Sequence, residues 1–98
     1  MIRGTTPTIE FRLPFEVDKL LVVLVTFAQN GQIKLTKTEA ECELKERSIN
    51  LWLTQEETLD FTADAPIDIE LKVKTTSYNV LVEQFRIAAQ NCVNDEVI

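Results

Sequence analysis

The sequence predicts an all-β chain, an antiparallel β-sandwich of the immunoglobulin-like kind with six or seven strands and one short helical turn near residues 55–59. Three observations predict it. Apolar and polar residues alternate in segment after segment, which is the period of a half-buried strand. Turn-forming residues recur roughly every 8–12 residues, the spacing of sandwich strands. Asn30-Gly31 sits between two such alternating runs and suits a two-residue hairpin turn, where both central residues need positive φ. The 98 residues correspond to about one domain, taken as residues 1–98.

Gly4 to Pro7 reads as an extended lead-in, because Thr6 precedes a proline. Ile9, Phe11 and Leu13 alternate with Glu10 and Arg12, a strand that Pro14 ends. Leu20 to Ala28 is apolar on both faces, with Leu21, Val23, Val25 and Phe27 on one and Leu20, Val22, Leu24 and Ala28 on the other. A strand apolar on both faces is central or covered on both sides. Gln32 to Lys37 completes the hairpin, with Ile33 and Leu35 on one face and Lys34 on the other. Glu41 to Leu44 reads as a short strand with Cys42 and Leu44 inward. Lys45-Glu46-Arg47 forms a turn into Ser48 to Leu53, where Ile49, Leu51 and Leu53 point inward and Asn50 and Trp52 outward.

Thr54 and Glu57 have capping-box spacing, which starts a helical turn over Gln55 to Leu59. Asp64-Ala65-Pro66 breaks the chain. Ile67, Ile69, Leu71 and Val73 then alternate with charged residues, a clear strand, and Thr75 to Asn79 forms a turn. Val80 to Cys92 fits a strand through Phe85, Ile87 and Ala89, and also fits helical spacing through Leu81, Phe85, Ala88 and Cys92. Strand is preferred, because it would complete the sheets.

Composition narrows function. Ten Lys and Arg against sixteen Asp and Glu give a net charge of −6. That balance argues against nucleic acid, which takes a basic stripe, and against an anionic membrane surface. The longest apolar run, Leu20 to Val25, falls far short of the roughly twenty residues a membrane span needs. Met1 to Pro7 lacks the apolar stretch of a secretion signal, so the chain is expected in a cytoplasm with its thiols reduced. There is no histidine, which removes the commonest general base and metal ligand. Two glycines cannot make a Gly-rich phosphate loop. No catalytic residue, metal or cofactor is expected.

The remaining candidates have structural readings beside the functional ones. Cys42, Trp52 and Cys92 follow the Cys-Trp-Cys order of immunoglobulin domains, but Gln90 stands where a tyrosine corner would put tyrosine. Two half-buried thiols are the simpler reading, a disulfide the other. Adjacent Glu56 and Glu57 point about 100° apart on a helical turn and share no site. Asp60, Asp64 and Asp68 lack the glycine-bearing loop of a calcium site. Trp52, outward by parity, either caps the core edge or anchors a partner. Val22 and Leu24, on the second apolar face of their strand, pose the same question, so Val22, Leu24 and Trp52 are the candidate interface.

Gly4-Thr5-Thr6-Pro7-Thr8, Leu13-Pro14-Phe15, Phe27-Ala28-Gln29-Asn30-Gly31, Leu53-Thr54-Gln55-Glu56-Glu57-Thr58-Leu59 and Asp95-Glu96-Val97-Ile98 run through nearly the whole chain. As an ordered set they resemble small proteins encoded in phages and prophages of Gram-positive, mostly gut, bacteria. More distantly, the chain is similar to the N-terminal β-sandwich of phage baseplate upper proteins. The resemblance implies a non-enzymatic virion or assembly protein, a tail or baseplate component. Its partners would be other virion proteins and further copies of itself. It would be made in the host cytoplasm and carried in the virion. A glycine-bearing turn would be more usual for this group near Thr75 to Asn79. An acidic host-directed inhibitor is the alternative that the charge raises, although Lys34, Lys37, Lys72 and Lys74 interrupt its carboxylates.

Overall fold

The structure, a computed structural model, describes residues 1–94 and 96–98. Among the described residues seven strands form two antiparallel sheets: β1 (Thr8–Arg12), β2 (Leu20–Gln29), β3 (Gln32–Thr38), β4 (Glu43–Lys45), β5 (Ser48–Trp52), β6 (Pro66–Thr75) and β7 (Val80–Ala88). One sheet has the order β1-β5-β4 and the other β3-β2-β6-β7. A short helix α1 (Gln55–Leu59) joins them, as the capping-box spacing predicts. The two-sheet, all-β architecture is therefore as expected. The strand order differs from the constant immunoglobulin pattern, which sets the second strand between the first and fifth. Here the second strand sits between the third and sixth.

The core collects one parity from each main strand. Val23, Val25 and Phe27 of β2, Ile67, Ile69, Leu71 and Val73 of β6, Phe11 of β1, and Ile49 and Leu51 of β5 are buried together with Leu53, Phe61 and Ala89. Each arises from period-two alternation, which lays every second side chain on one sheet face. β2 is central, as its two apolar faces predict, but its second face carries exposed Val22 and partly exposed Leu24.

Local geometry corrects five expectations. An irregularity between Leu20 and Val22 sets Leu20 opposite buried Thr75, so Leu20 packs against the core and Leu21 is exposed. Ile33 and Leu35 do not share a face. A β-bulge pairs Leu35 with Phe27 and Ile33 with Ala28, so Lys34 is the extra residue. A bulge reverses the parity beyond it, and Ile33 is left 70 % exposed on the outer face. Cys42 lies outside β4, after a 3-10 turn over Glu39–Glu41, and Leu44 is exposed at that edge. The last strand ends at Ala88, so residues 89–92 do not continue it. The lead-in is bent at Gly4, whose φ is +80°. A Cβ there would meet Leu59 Cδ2 at 3.3 Å.

The turns follow the local chemistry. Asn30 and Gly31 both have positive φ, 52° and 77°, as the tight hairpin requires. In the β6–β7 turn Tyr78 takes φ 63°, a conformation that favours glycine. Its exposed ring lies 5.4 Å from Lys74 Nζ.

Buried polar residues tie one end of the sandwich together. Gln29, 1 % exposed, donates through Nε2 to Thr62 O at 2.9 Å and Ala65 O at 3.2 Å. Its Oε1 accepts from Thr62 N at 2.7 Å. Thr58 Oγ1 accepts from Gly4 N at 2.9 Å and donates to Thr5 O at 2.8 Å. Arg3 donates to Phe61 O, Leu59 O and Asn91 Oδ1. These bonds hold the 58–65 segment and the first five residues against the end of the larger sheet.

Candidate interaction surface

β7 closes one side of the larger sheet, and among the described residues its far edge has no neighbouring strand over most of its length. Its pairing with β6 is regular from Lys74 and Val80 to Pro66 and Ala88. β7 is nevertheless exposed at every position but Ile87. Val80 is 56 % exposed, and Leu81, Val82 and Phe85 are also well exposed. A long edge strand of this kind, uncovered and apolar, is a template for strand addition.

The inward side of β7 opens into a slit between the sheets. Leu81 and Glu83 lie across from Val73 and Leu71. Leu13, Pro14 and Phe15 form the opposite wall, and the slit has a volume of about 210 Å³. Two residues beyond Glu83 on the same side of β7, Phe85 packs against Phe11, with ring centroids 5.6 Å apart. Among the described residues Glu83 makes no ion pair, and Arg12, on the slit's rim, pairs with Glu10 at 2.9 Å.

The three residues singled out by sequence occupy two different surfaces. Val22 and Leu24 lie on the outer face of the larger sheet, in register with Lys74 and Lys72 of β6 and, beyond them, Val80 and Val82 of β7. They therefore belong to the same surface as the outer side of the β7 edge. Trp52 is outward and 53 % exposed, as parity predicts, but it sits on the outer face of the smaller sheet beside Thr8. That face is otherwise polar, with Glu10, Asn50 and Glu43 across its middle row. Trp52 and Val22 thus do not form one site.

Sequence reasoning missed β7 as a surface, although the run Val80-Leu81-Val82 was its signal. A run with apolar residues on both faces reads as a doubly covered strand, and only the strand order reveals that its outer edge is open.

The titratable groups are engaged elsewhere. Lys37 has the parity of Leu35 and so points inward, where it is 9 % exposed. Its ammonium meets Glu57 at 2.8 Å. Burial by itself would raise the Glu57 carboxyl. The Lys37 hydrogen bond and the Thr54 N–H outweigh burial and hold Glu57 below the usual carboxylate range. The Cys42 thiol is pushed up by burial and then by Glu41, which disfavours the reactive thiolate. Cys42 and Cys92 are both free, so the disulfide reading is set aside. Asp60 ends α1, Asp64 sits in a turn, and Asp68 pairs with Arg86 at 2.8 Å on the outer face. Among the described residues no three acidic or cysteine side chains converge as a metal site would need. No described helix is long and apolar enough to cross a membrane.

Together the fold and this surface define a class: a small two-sheet β protein with one polar-locked end and one open apolar strand edge. No protein-family model matches the chain, and no curated protein or solved structure is significantly similar to it.

Proposed function

We propose that the chain is a non-enzymatic structural protein of a phage or prophage particle, a tail or baseplate component acting through protein–protein contacts. The observation that carries the contact reading is the exposed apolar edge of β7. Sheet edges of this kind bind by adding a strand, with backbone bonds for affinity and alternate side chains for specificity. The particle context rests on the resemblance of the Gly4-to-Thr8, Phe27-to-Gly31 and Leu53-to-Leu59 segments, taken with the others as an ordered set.

Absence of enzymatic activity is part of the same reading. Several carboxylates are paired with cations instead of with one another: Asp68 with Arg86, Glu10 with Arg12 and Glu57 with Lys37. The same pairings weigh against an acidic inhibitor, which needs a row of free carboxylates on one face.

Mass spectrometry of particles purified after induction tests the proposal. Peptides of this chain are expected at a fixed ratio to the other particle proteins. Their absence from intact particles overturns the reading.

A further inference from the structure

The backbone geometry shows which groups of β7 are unpaired. Ala88 O accepts from Met1 N at 3.0 Å. Gln90 N and O pair with Met1 O and Arg3 N, both at 2.8 Å, while Ala89 O turns the other way to Asp64 N. Successive residues of a strand direct their backbone groups to opposite sides. Val80, Val82, Gln84 and Arg86 therefore point their N–H and C=O groups outward, and residues 1–3 close the edge beyond Ile87.

This open stretch fits its own copy poorly. A dimer closed by a two-fold axis normal to the sheet pairs β7 antiparallel to β7, with even residues opposite even ones. Only two such registers bring both Val80–Val82 and Phe85 into the pairing. One sets Glu83 directly opposite Glu83. The other sets Glu83 diagonal to Glu83, and also places Val80 against Ala88, whose carbonyl is already taken. Like charges facing across strands destabilise pairing. Here they would meet at the mouth of an apolar slit, on a chain of net charge −6, where a cation would be favoured instead.

We propose that β7 accepts a strand from a different chain, an extended segment with apolar residues facing Leu81 and Phe85 and a Lys or Arg facing Glu83. This rests on the reading of the chain as a contact protein and names the chemistry of its partner. The segment adds an eighth strand to the two sheets, its alternate side chains entering the slit beside Leu13 and Phe15. Glu83 thus both rejects a second copy and selects a basic partner.

The test uses the full chain and two synthetic peptides, Thr-Val-Thr-Lys-Thr-Val-Thr and the same peptide with Glu at the centre. Their palindromic sequence presents the same side chains in either strand direction. Binding is followed by amide chemical shifts of the protein. The Lys peptide is expected to bind about tenfold more tightly than the Glu peptide, the size of a partly desolvated charge pair, with shifts centred on Val80 to Arg86. Glu83→Lys is expected to reverse the preference. Val82→Pro removes an outward N–H while sparing the β6 ladder, and is expected to abolish both. By light scattering, wild type is expected to be monomeric and Glu83→Thr to self-associate. Equal binding of the two peptides, or a wild-type dimer dissolved by Val82→Pro, overturns the inference. Either result leaves the particle reading standing, whereas peptide selectivity in a chain missing from particles overturns the particle reading alone.

Discussion

The two ends of the larger sheet treat polar groups in opposite ways. At the end near Gln29, buried side chains bond to backbone that would otherwise be orphaned. Gln29 makes three such bonds to Thr62 and Ala65, and Thr58 joins Gly4 to Thr5. Along β7 the reverse holds, since apolar side chains face solvent and, among the described residues, the outward backbone groups of Val80, Val82, Gln84 and Arg86 have no strand beside them. A satisfied buried network specifies one conformation, because each unmade bond is costly in a low dielectric. An open strand edge specifies nothing until a partner arrives. The first region maintains the fold, and the second is available for contact. Mutations should therefore separate them by cost.

The largest effect is expected at the locked end. Gln29→Ala leaves Thr62 N–H and two carbonyls unsatisfied and opens a void. The expected loss is about 3 kcal/mol, combining desolvated polar groups with a cavity. Urea unfolding measures it. A loss under about 1 kcal/mol would mean that water replaces the side chain and that the end is looser than its hydrogen bonds indicate. Peptide binding at β7 should be unchanged if Gln29→Ala remains folded.

Next comes the pair that joins α1 to β3. Glu57 is depressed in the folded state, so its contribution is present above the unfolded carboxylate pKa. It is lost as pH falls through the lower folded pKa. Stability should thus fall from about pH 5 downward, beginning near the ordinary glutamate value. Glu57→Gln should flatten that portion of the profile and cost about 1–2 kcal/mol at neutral pH, the range for a charge-assisted bond on a partly exposed group. A profile unchanged by Glu57→Gln would assign the acid transition to other carboxylates.

The same contrast explains what could be read from the sequence. Alternation in β1, β2, β5 and β6 names the core residues directly, because each strand presents one face to it. The Thr54–Glu57 box and the Asn30-Gly31 turn are local chemistry and appear as predicted. The bulge at Lys34 is not local: it depends on how β3 meets β2, so Ile33 was assigned to the wrong face. Gln29, Thr58 and Gly4 stand out in sequence only as members of a resembling pattern, and their work proves to be internal bonding. The contact surface was half legible. Val22 and Leu24 lie where parity put them, but the openness of β7 follows from strand order, which no local pattern encodes. Trp52 is exposed as expected, yet on the opposite face.

A smaller effect, of opposite sign, is expected at the turn that leads into β7. Tyr78 holds φ 63°, a region that costs a residue with a Cβ about 1–2 kcal/mol relative to glycine's freedom. Against this stands one exposed cation–π contact with Lys74, worth about 0.5–1 kcal/mol. Tyr78→Gly should therefore raise stability by about 0.5 kcal/mol, read as a small upward shift of the denaturation midpoint. A clear loss would show that Tyr78 packs more tightly than its exposure indicates, and would extend the structured region into the turn.

The smallest stability effect is expected on β7 itself, where the comparison is sharpest. Val80 and Val82 lie on its outer side and are about half exposed. Replacing both with threonine keeps the β-branched shape that favours strands and removes apolar surface of which folding leaves about half in water. The double variant should unfold within about 0.5 kcal/mol of wild type, the usual range for surface positions. It should still lose affinity for an added strand, because those side chains flank the edge where the strand would lie. A stability loss above about 1 kcal/mol would mean that the outer side of β7 is already packed within this chain. The open edge would then belong to the fold, and the distinction between the two ends would fail.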